Sequence, residues 1–578
     1  MQNLHLKNFR KSVDSKIKLA DFTLLIGKNN SGKSNVAKSL LLFSDYLTSD
    51  SISKLPLDGP NSIYHKIGGY QDLLTFYDEE REGSVPGSYL RTDERQPKIS
   101  IIMAGGAKLT LHLKDGQGYG TEVIVDRVIM SDSDDLEMLK IETLELNSFE
   151  VTYQIELIQN FLSNHQSGAN NNAFGNRNIK KDLESRLIRK KDDLNLSKKQ
   201  ADRIRLQTDI QILEEKIKKI EHQEVSNIPA PNIKSIYIDI NQSIASKWRV
   251  IDLFTDYFPK KWSFSVLDPK NNKSEDIKPV DNIDIDDLGT DSELEMVNLD
   301  EDELETGQHL KIDLYAAYKE YTANIGRFIS LNSSTILFSP VNRYAPYREY
   351  INTSVYSQVN HIDIIKDIYQ LLNFKGDFSL RADEKSFLNR WLREFEISDG
   401  EIESDLLKIE KQSNLGFSIN VFTQNSKYMP GNNHGYINMV DKGYGSGQVL
   451  AIILKIIAAN NATPFNKRTK GQINTTTVIL EEPESNLHPN YQSKLVDLLW
   501  DAQHKFSLNF IIECHSEYMI RRLQVLVKNG DLTPDDIAIN YFDKSGVTII
   551  EIDQSGYLKS NFGSGFTDES SKLAMDLL

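Results

Sequence analysis

Gly27-Lys28-Asn29-Asn30-Ser31-Gly32-Lys33-Ser34 matches the pattern G-x-x-x-x-G-K-[ST] at every specified position. An apolar run, Phe22-Thr23-Leu24-Leu25-Ile26, precedes it, and a segment free of Gly and Pro, Asn35 to Tyr46, follows. Strand, glycine loop and helix in that order make a phosphate cradle. Successive backbone N–H groups and the positive end of the helix dipole face the anion. Lys33 is then placed to reach the β- and γ-phosphates of a nucleotide, and the Ser34 hydroxyl to ligate Mg²⁺. Gly27, Asn29, Asn30, Ser31, Gly32 and Asn35 complete the expected contact set.

The last third of the chain supplies what such a loop lacks. Thr477-Val478-Ile479-Leu480-Glu481-Glu482-Pro483 is a β-branched apolar run ending in paired carboxylates. A buried strand would deliver both to its carboxyl end, where α/β sheets place their ligands. Glu481 is expected to help hold the Mg²⁺ shell, and Glu482 to orient or deprotonate the attacking water. Upstream, Asp441-Lys442-Gly443-Tyr444-Gly445-Ser446-Gly447-Gln448 reads as a second glycine-rich loop, opening a helix over Val449 to Ala459. Gly445, Ser446, Gly447 and Gln448 are candidates for phosphate contact at that helix N-terminus. Downstream, Leu508 to Ile512 is another apolar run, followed by Glu513-Cys514-His515-Ser516. The His515 imidazole could bond a γ-phosphate. A Cys514–His515 nucleophilic pair is not expected, because neighbours on a strand point to opposite faces.

Composition narrows the class without deciding it. A chain of 578 residues with one cysteine, Cys514, has no internal disulfide and no cysteine-built zinc site, which suits a reducing compartment. No apolar run approaches the roughly 18–20 residues of a membrane span, and Met1 to Leu6 lacks a signal-peptide pattern, so a cytoplasmic protein without a membrane partner is expected. The net charge of −16 misleads, because residues 275–306 alone hold 14 Asp/Glu against one lysine. A basic surface elsewhere therefore remains open. Asp284, Asp286, Gly289 and Glu295 in that tract mimic EF-hand spacing, but Leu288 stands where an oxygen ligand belongs, and we read the match as coincidence.

The fold class expected is α/β with an added antiparallel lobe. Residues 1–160 read as the phosphate-loop unit followed by alternating strands near 99–103, 108–113, 122–128 and 150–157. Residues 161–230 read as a helical, coiled-coil-like insertion, and its stretch 177–219 holds 14 Lys/Arg against 8 Asp/Glu. Residues 231–309 are mixed and end in the acidic tract. Residues 310–578 carry a helix over 310–331, a strand over 336–339, helices over 359–373 and 383–396, and the second half of the site. Arg343 and Arg348 stand on a Pro- and Tyr-rich loop that could meet phosphates or nucleic acid.

Taken together with an opening Leu6-Lys7-Asn8-Phe9-Arg10 and a closing Gly556 to Glu569, these motifs resemble the ABC-class ATPases of the SMC/RecF/OLD branch. The nearer likeness is to stand-alone bacterial anti-phage ATPases such as PtuA of Septu and of some retrons. The resemblance spans 1–160 and 310–578 and implies an ABC-type P-loop ATPase head using ATP and Mg²⁺. It makes Lys33 and Ser34 Walker A residues, Glu481 and Glu482 the Walker B pair, His515 the switch histidine and Ser485 to His488 the D-loop. Gly445 to Gln448 becomes the signature loop, which in the family reaches a nucleotide held by a partner head, although the usual serine is displaced or replaced by glycine here. Gln71 becomes the Q-loop residue at the metal. The implied partners are a second copy of the chain, in a dimer or larger oligomer, and a separate nuclease of the H-N-H type (PtuB-like), with DNA or a retron reverse transcriptase complex as further possibilities. The segment after His515 shows no H-N-H or aspartate-rich metal cluster, which is why the nuclease is expected to be separate. Competing expectations are a RecF- or SMC-like DNA-repair ATPase, a nucleotide-stabilised scaffold with slow turnover, and a transporter ATPase. The helical insertion of about 45 residues, at 1.5 Å per residue, spans under ~70 Å and is short for an SMC arm. The transporter reading is disfavoured by the large insertions and the Glu-Glu strand end.

Overall fold

The computed structural model describes residues 2–49, 54–59, 61–74, 96–102, 106–116, 123–145, 148–154, 235–241, 263–266, 336–341, 378–411, 416–424, 435–462, 476–563 and 569–576, with short pieces at 344, 350–351, 367–368, 371 and 566. The expected helical insertion, the acidic tract, the 310–331 helix, most of the 359–373 helix and both Arg343 and Arg348 lie outside the described residues.

Strands β1 (Asn3–Phe9) and β2 (Ser12–Lys18) form a hairpin that leads into β3 (Phe22–Gly27), the strand before the phosphate loop. β4 (Lys98–Ile102), β5 (Lys108–Asp115), β6 (Val123–Ser131), β7 (Glu137–Glu145), β8 (Ser148–Gln154), β9 (Ser235–Asn241) and β10 (Ser263–Val266) follow. They join the hairpin in one nine-stranded antiparallel sheet, ordered β10-β9-β8-β7-β6-β5-β4-β1-β2. The expected antiparallel lobe is present and larger than its sequence pattern suggested. β9 and β10 extend it from beyond the 155–234 segment.

The second sheet holds the motifs. Its strands are β11 (Ile336–Ser339), β16 (Thr476–Glu481), β17 (Leu508–Glu513), β18 (Ile537–Asp543) and β19 (Gly546–Ile550), together with β3. The order is β11-β16-β17-β3-β18-β19, parallel throughout except for the β18–β19 hairpin at the edge. Side chains alternate across a strand, and here both faces are buried. Leu24, Ile26, Val478, Leu480, Phe510 and Ile512 enter one core, while Leu25, Ile479 and Ile511 enter the other. That two-sided burial is why these strands read as unbroken apolar runs.

Helices cover the first face: α2 (Ala382–Glu394), α3 (Tyr444–Ala462), α4 (Pro489–Phe506) and α5 (Glu517–Asn529). α3 is apolar nearly all round and is buried from Gly447 to Asn460, as a central core helix should be. α1 (Lys33–Thr48) and the antiparallel lobe cover the second face. The two sheets dock where Asn540 of β18, fully buried, exchanges two 2.9 Å hydrogen bonds with the Lys18 backbone. A third, small antiparallel sheet, β12 (Tyr350–Ile351), β13 (Leu407–Lys411), β14 (Gly416–Phe422) and β15 (Tyr436–Asn438), precedes α3. Among the described residues no helix is long and apolar enough to cross a membrane.

Candidate nucleotide site

β3, β16 and β17 run parallel, so their carboxyl ends open on one edge of the sheet, where α/β folds bind ligands. Gly27 ends β3 at φ +147°, and a Cβ there would lie 2.2 Å from the Phe542 carbonyl on β18, so only glycine lets the chain pass. Lys28, Asn29 and Asn30 are exposed, and the turn continues through positive φ at Asn30 and Gly32 into α1. The Lys33 side chain, 3% exposed, folds back across the loop and donates to the Gly27 and Lys28 carbonyls at 3.0 Å each. Burial pulls its pKa down, opposed by the carboxylates of Glu513 and Glu482.

Glu513, which carried no assigned role in the sequence reading, is the carboxylate nearest the loop. β17 lies between β16 and β3, so Glu513 sits in register with Glu481 on one side and Leu25 on the other. Its oxygens accept from the Ser34 hydroxyl at 3.0 and 3.2 Å, and one stands 3.8 Å from the Lys33 ammonium. Burial raises its pKa to about 7, against the lowering pull of Lys33 and the Ser34 hydrogen bond, while Glu481 and Glu482 add to the rise. Glu481 accepts a 3.3 Å hydrogen bond from the Val341 N–H, in the loop that leaves β11. Glu482 turns at φ 44°, donates its N–H to the Glu513 carbonyl at 2.7 Å and accepts from the Ser485 hydroxyl at 3.1 Å. The left-handed backbone at a bulky residue costs about 1 kcal/mol or more, and two hydrogen bonds hold it.

The next turn fixes His515. Glu484, 7% exposed, accepts the His515 backbone N–H at 2.6 Å, and Ser516 caps α5 while donating to Gln492 at 2.6 Å. Cys514 points into the core, where burial raises its thiol pKa, and His515 is exposed. Partial burial and the nearby Lys33 charge lower the imidazole pKa, and Glu482 opposes them. His515 therefore shares an electrostatic neighbourhood with both. Glu484→Ala should leave that N–H unpaired at a cost of about 1–3 kcal/mol. Thermal melting of the full chain should show the loss.

Gly445 to Gln448 differ from expectation in form. They lie in the first turn of α3, which starts at Tyr444 rather than after Gln448, because the Gly447 N–H already closes on the Gly443 carbonyl at 3.4 Å. A Cβ at Gly447 would meet the buried Tyr344 ring at 2.1 Å, and one at Gly445 would meet the Asn486 carbonyl at 2.8 Å. The Ser446 hydroxyl donates to the Lys442 carbonyl at 3.2 Å. These neighbours of Gly445, Ser446 and Gly447 are not phosphate-loop residues. The segment instead rests on the turn that carries Glu482 and Glu484. Gln71 is exposed on the 3₁₀ turn Tyr70–Leu73, beside Asp72, whose carbonyl accepts from Arg10 at 3.0 Å. Lys38 on α1 feels the charges of both Glu481 and Asp72.

The donors that remain fit a metal-bound polyphosphate. Among the described residues, Ser31 Oγ and Asn35 Nδ2 are buried with no hydrogen-bond partner. Lys33 adds an ammonium, and the loop sits at a helix N-terminus. Ser34 and the adjoining carboxylates offer the hard oxygens that Mg²⁺ prefers.

A family model described as the AAA ATPase domain matches residues 1–520. Among solved structures, the chain is similar to the Pyrococcus furiosus Smc head domain with an extended coiled coil bound to the C-terminal domain of ScpA. Identity is 10%, coverage is 100% of this chain and 98% of that one, and the TM-score is 0.29. A Thermotoga maritima SMC head domain matches at 10% identity, with 96% and 98% coverage and a TM-score of 0.29. No curated protein matches.

Proposed function

Given that the chain belongs to the AAA ATPase domain family, we propose that it is a Mg²⁺-dependent ATPase that closes on a second copy of itself and thereby controls a separate nuclease in bacterial anti-phage defence. The observation that supports the ATPase chemistry is the convergence of Lys33, Ser34, Glu482, Glu513 and His515 on one sheet edge from three parallel strands. In this reading the loop N–H groups and Lys33 bind the phosphates. Ser34 and its carboxylate neighbours take the metal, which would neutralise charge developing on the β- and γ-phosphates. Glu482 takes a proton from, or orients, the attacking water. His515 bonds the γ-phosphate.

Two features support closure on a second copy. Gly445 and Gly447 pack on Asn486 and Tyr344, and Tyr444 beside them is 38% exposed. A helix N-terminus presented in that way would complete a site on another head. The defence role and the nuclease partner rest on the resemblance of the motifs to the Septu and retron ATPases.

The test uses the full chain. Light scattering with a slowly hydrolysed ATP analogue should show a doubled mass, a phosphate-release assay should show turnover, and plasmid DNA should stay intact. Where an H-N-H protein is encoded beside this gene, adding it should give a nuclease whose activity depends on the nucleotide state. Plasmid cleavage by the chain alone would refute the division of labour. Tight ATP-dependent DNA binding with no effect on any nuclease would favour the RecF- or SMC-like role.

A further inference from the structure

We propose that Glu513 is the carboxylate that prepares Ser34 for the metal, acting as a positioning residue for which the adjacent Glu481 does not substitute; the inference rests on the ATPase reading and adds a residue to it. A serine hydroxyl has one hydrogen and two lone pairs. Here the hydrogen is donated to Glu513, at 3.0 and 3.2 Å to its two oxygens. Ser34 is thus locked with its lone pairs free, which is the orientation a cation needs.

The topology explains why Glu513 and not Glu481 is placed for this. β17 adjoins β3 directly, whereas β16 is one strand farther away. Glu481 faces the β11 side, where the Val341 N–H meets it. Glu513 is 8% exposed, so its carboxylate is held by packing as well as by Ser34 and Lys33. Of the carboxylates at the strand ends, Glu513 is the one in an ion pair with Lys33, at 3.8 Å.

A different role would fit the same distances: Glu513 could act as a plug on Lys33 and Ser34 that nucleotide must displace. The two roles predict opposite results. Binding of a fluorescent ATP analogue should be titrated with Mg²⁺, and also measured in EDTA, for wild type, Glu513→Gln, Glu481→Gln and Ser34→Ala. Outer-shell partners of a metal site typically contribute about 10–100-fold to its affinity. Glu513→Gln should therefore raise the Mg²⁺ concentration for half-maximal binding by about tenfold or more, with EDTA affinity unchanged. Ser34→Ala should show the same defect, and the double variant should lose no more than either single one, as residues acting as one unit do. An unchanged Mg²⁺ requirement in Glu513→Gln, additive losses in the double variant, or tighter binding in EDTA would overturn the proposal. If Glu513→Gln does not fold, Glu513→Asp, which shortens the reach to Ser34, should show the same direction of change. If wild type binds no nucleotide at all, the ATPase reading itself fails; if wild type binds and Glu513→Gln matches it, only this inference does.

Discussion

Lys33→Ala is expected to weaken Mg·ATP binding by about 10²–10⁴-fold, the loss of two charge-assisted phosphate contacts at roughly 1.5–3 kcal/mol each. Isothermal titration on the full chain checks it, and an affinity within threefold of wild type would remove Lys33 from the site. The same substitution tests how the loop is held without ligand. Lys33 links the Gly27 and Lys28 carbonyls and is the cation nearest Glu513. Its removal leaves a buried carboxyl whose pKa, already pushed up to about 7 by burial, rises further. A carboxyl raised in the folded state keeps a proton that the unfolded chain has released. Stability therefore falls as pH rises from about 4.5, the unfolded value, through the folded pKa, and levels off above it. In EDTA, the melting deficit of Lys33→Ala relative to wild type should stay level from pH 5 to about 6 and grow as pH rises past about 7, where wild type levels off and the variant does not. A deficit independent of pH would mean that Lys33 does not compensate Glu513.

That coupling was not legible in the sequence, although each partner was. The phosphate loop declares itself because its glycines, lysine and serine stand between an apolar run and a breaker-free segment, and β3 and α1 form where those segments predict. β16 and β17 are legible for a related reason: burial on both faces leaves an unbroken β-branched run, and an acidic residue at its end stands out. Strand order is a different kind of fact. Nothing local to residues 508–513 says that this strand lies between β16 and β3, yet that placement alone brings Glu513 to Ser34 across 479 positions of chain. The carboxylate logic applied to Glu481 held equally for Glu513, which also ends a buried strand, but His515 two residues later drew the weight. Glu484 was hidden similarly, since its partner is a backbone N–H that no side-chain pattern reveals. The glycines of Gly445 to Gln448 argue for a loop, since glycine disfavours helix interiors. In the first turn that penalty is outweighed by contacts that admit no side chain, on Tyr344 and Asn486. The antiparallel lobe was legible as alternation, but its last two strands pair across the long 155–234 segment, and period-2 patterns carry no partner information.

Glu482→Gln should separate binding from chemistry. Glutamine keeps the shape and can still accept from the Ser485 hydroxyl, so the left-handed turn at φ 44° and its N–H bond to the Glu513 carbonyl should survive. What it loses is the capacity to take a proton, a contribution worth about 10²–10⁴-fold in rate. Single-turnover hydrolysis should slow by that factor while ATP affinity stays within about threefold, because the interaction lost is one made mainly in the transition state. An ATP-bound assembly of two chains should then persist, since the step that dissolves it is blocked, and light scattering with ATP itself should show the doubled mass that wild type shows only transiently. His515→Ala removes a γ-phosphate contact but no base, so its rate should fall less than that of Glu482→Gln. Equal single-turnover rates in wild type and Glu482→Gln would exclude Glu482 as the base. With ATP still bound and the assembly still formed, the reading left standing would be a scaffold locked by nucleotide, in which the carboxylates at the strand ends serve the metal and the turn rather than the water.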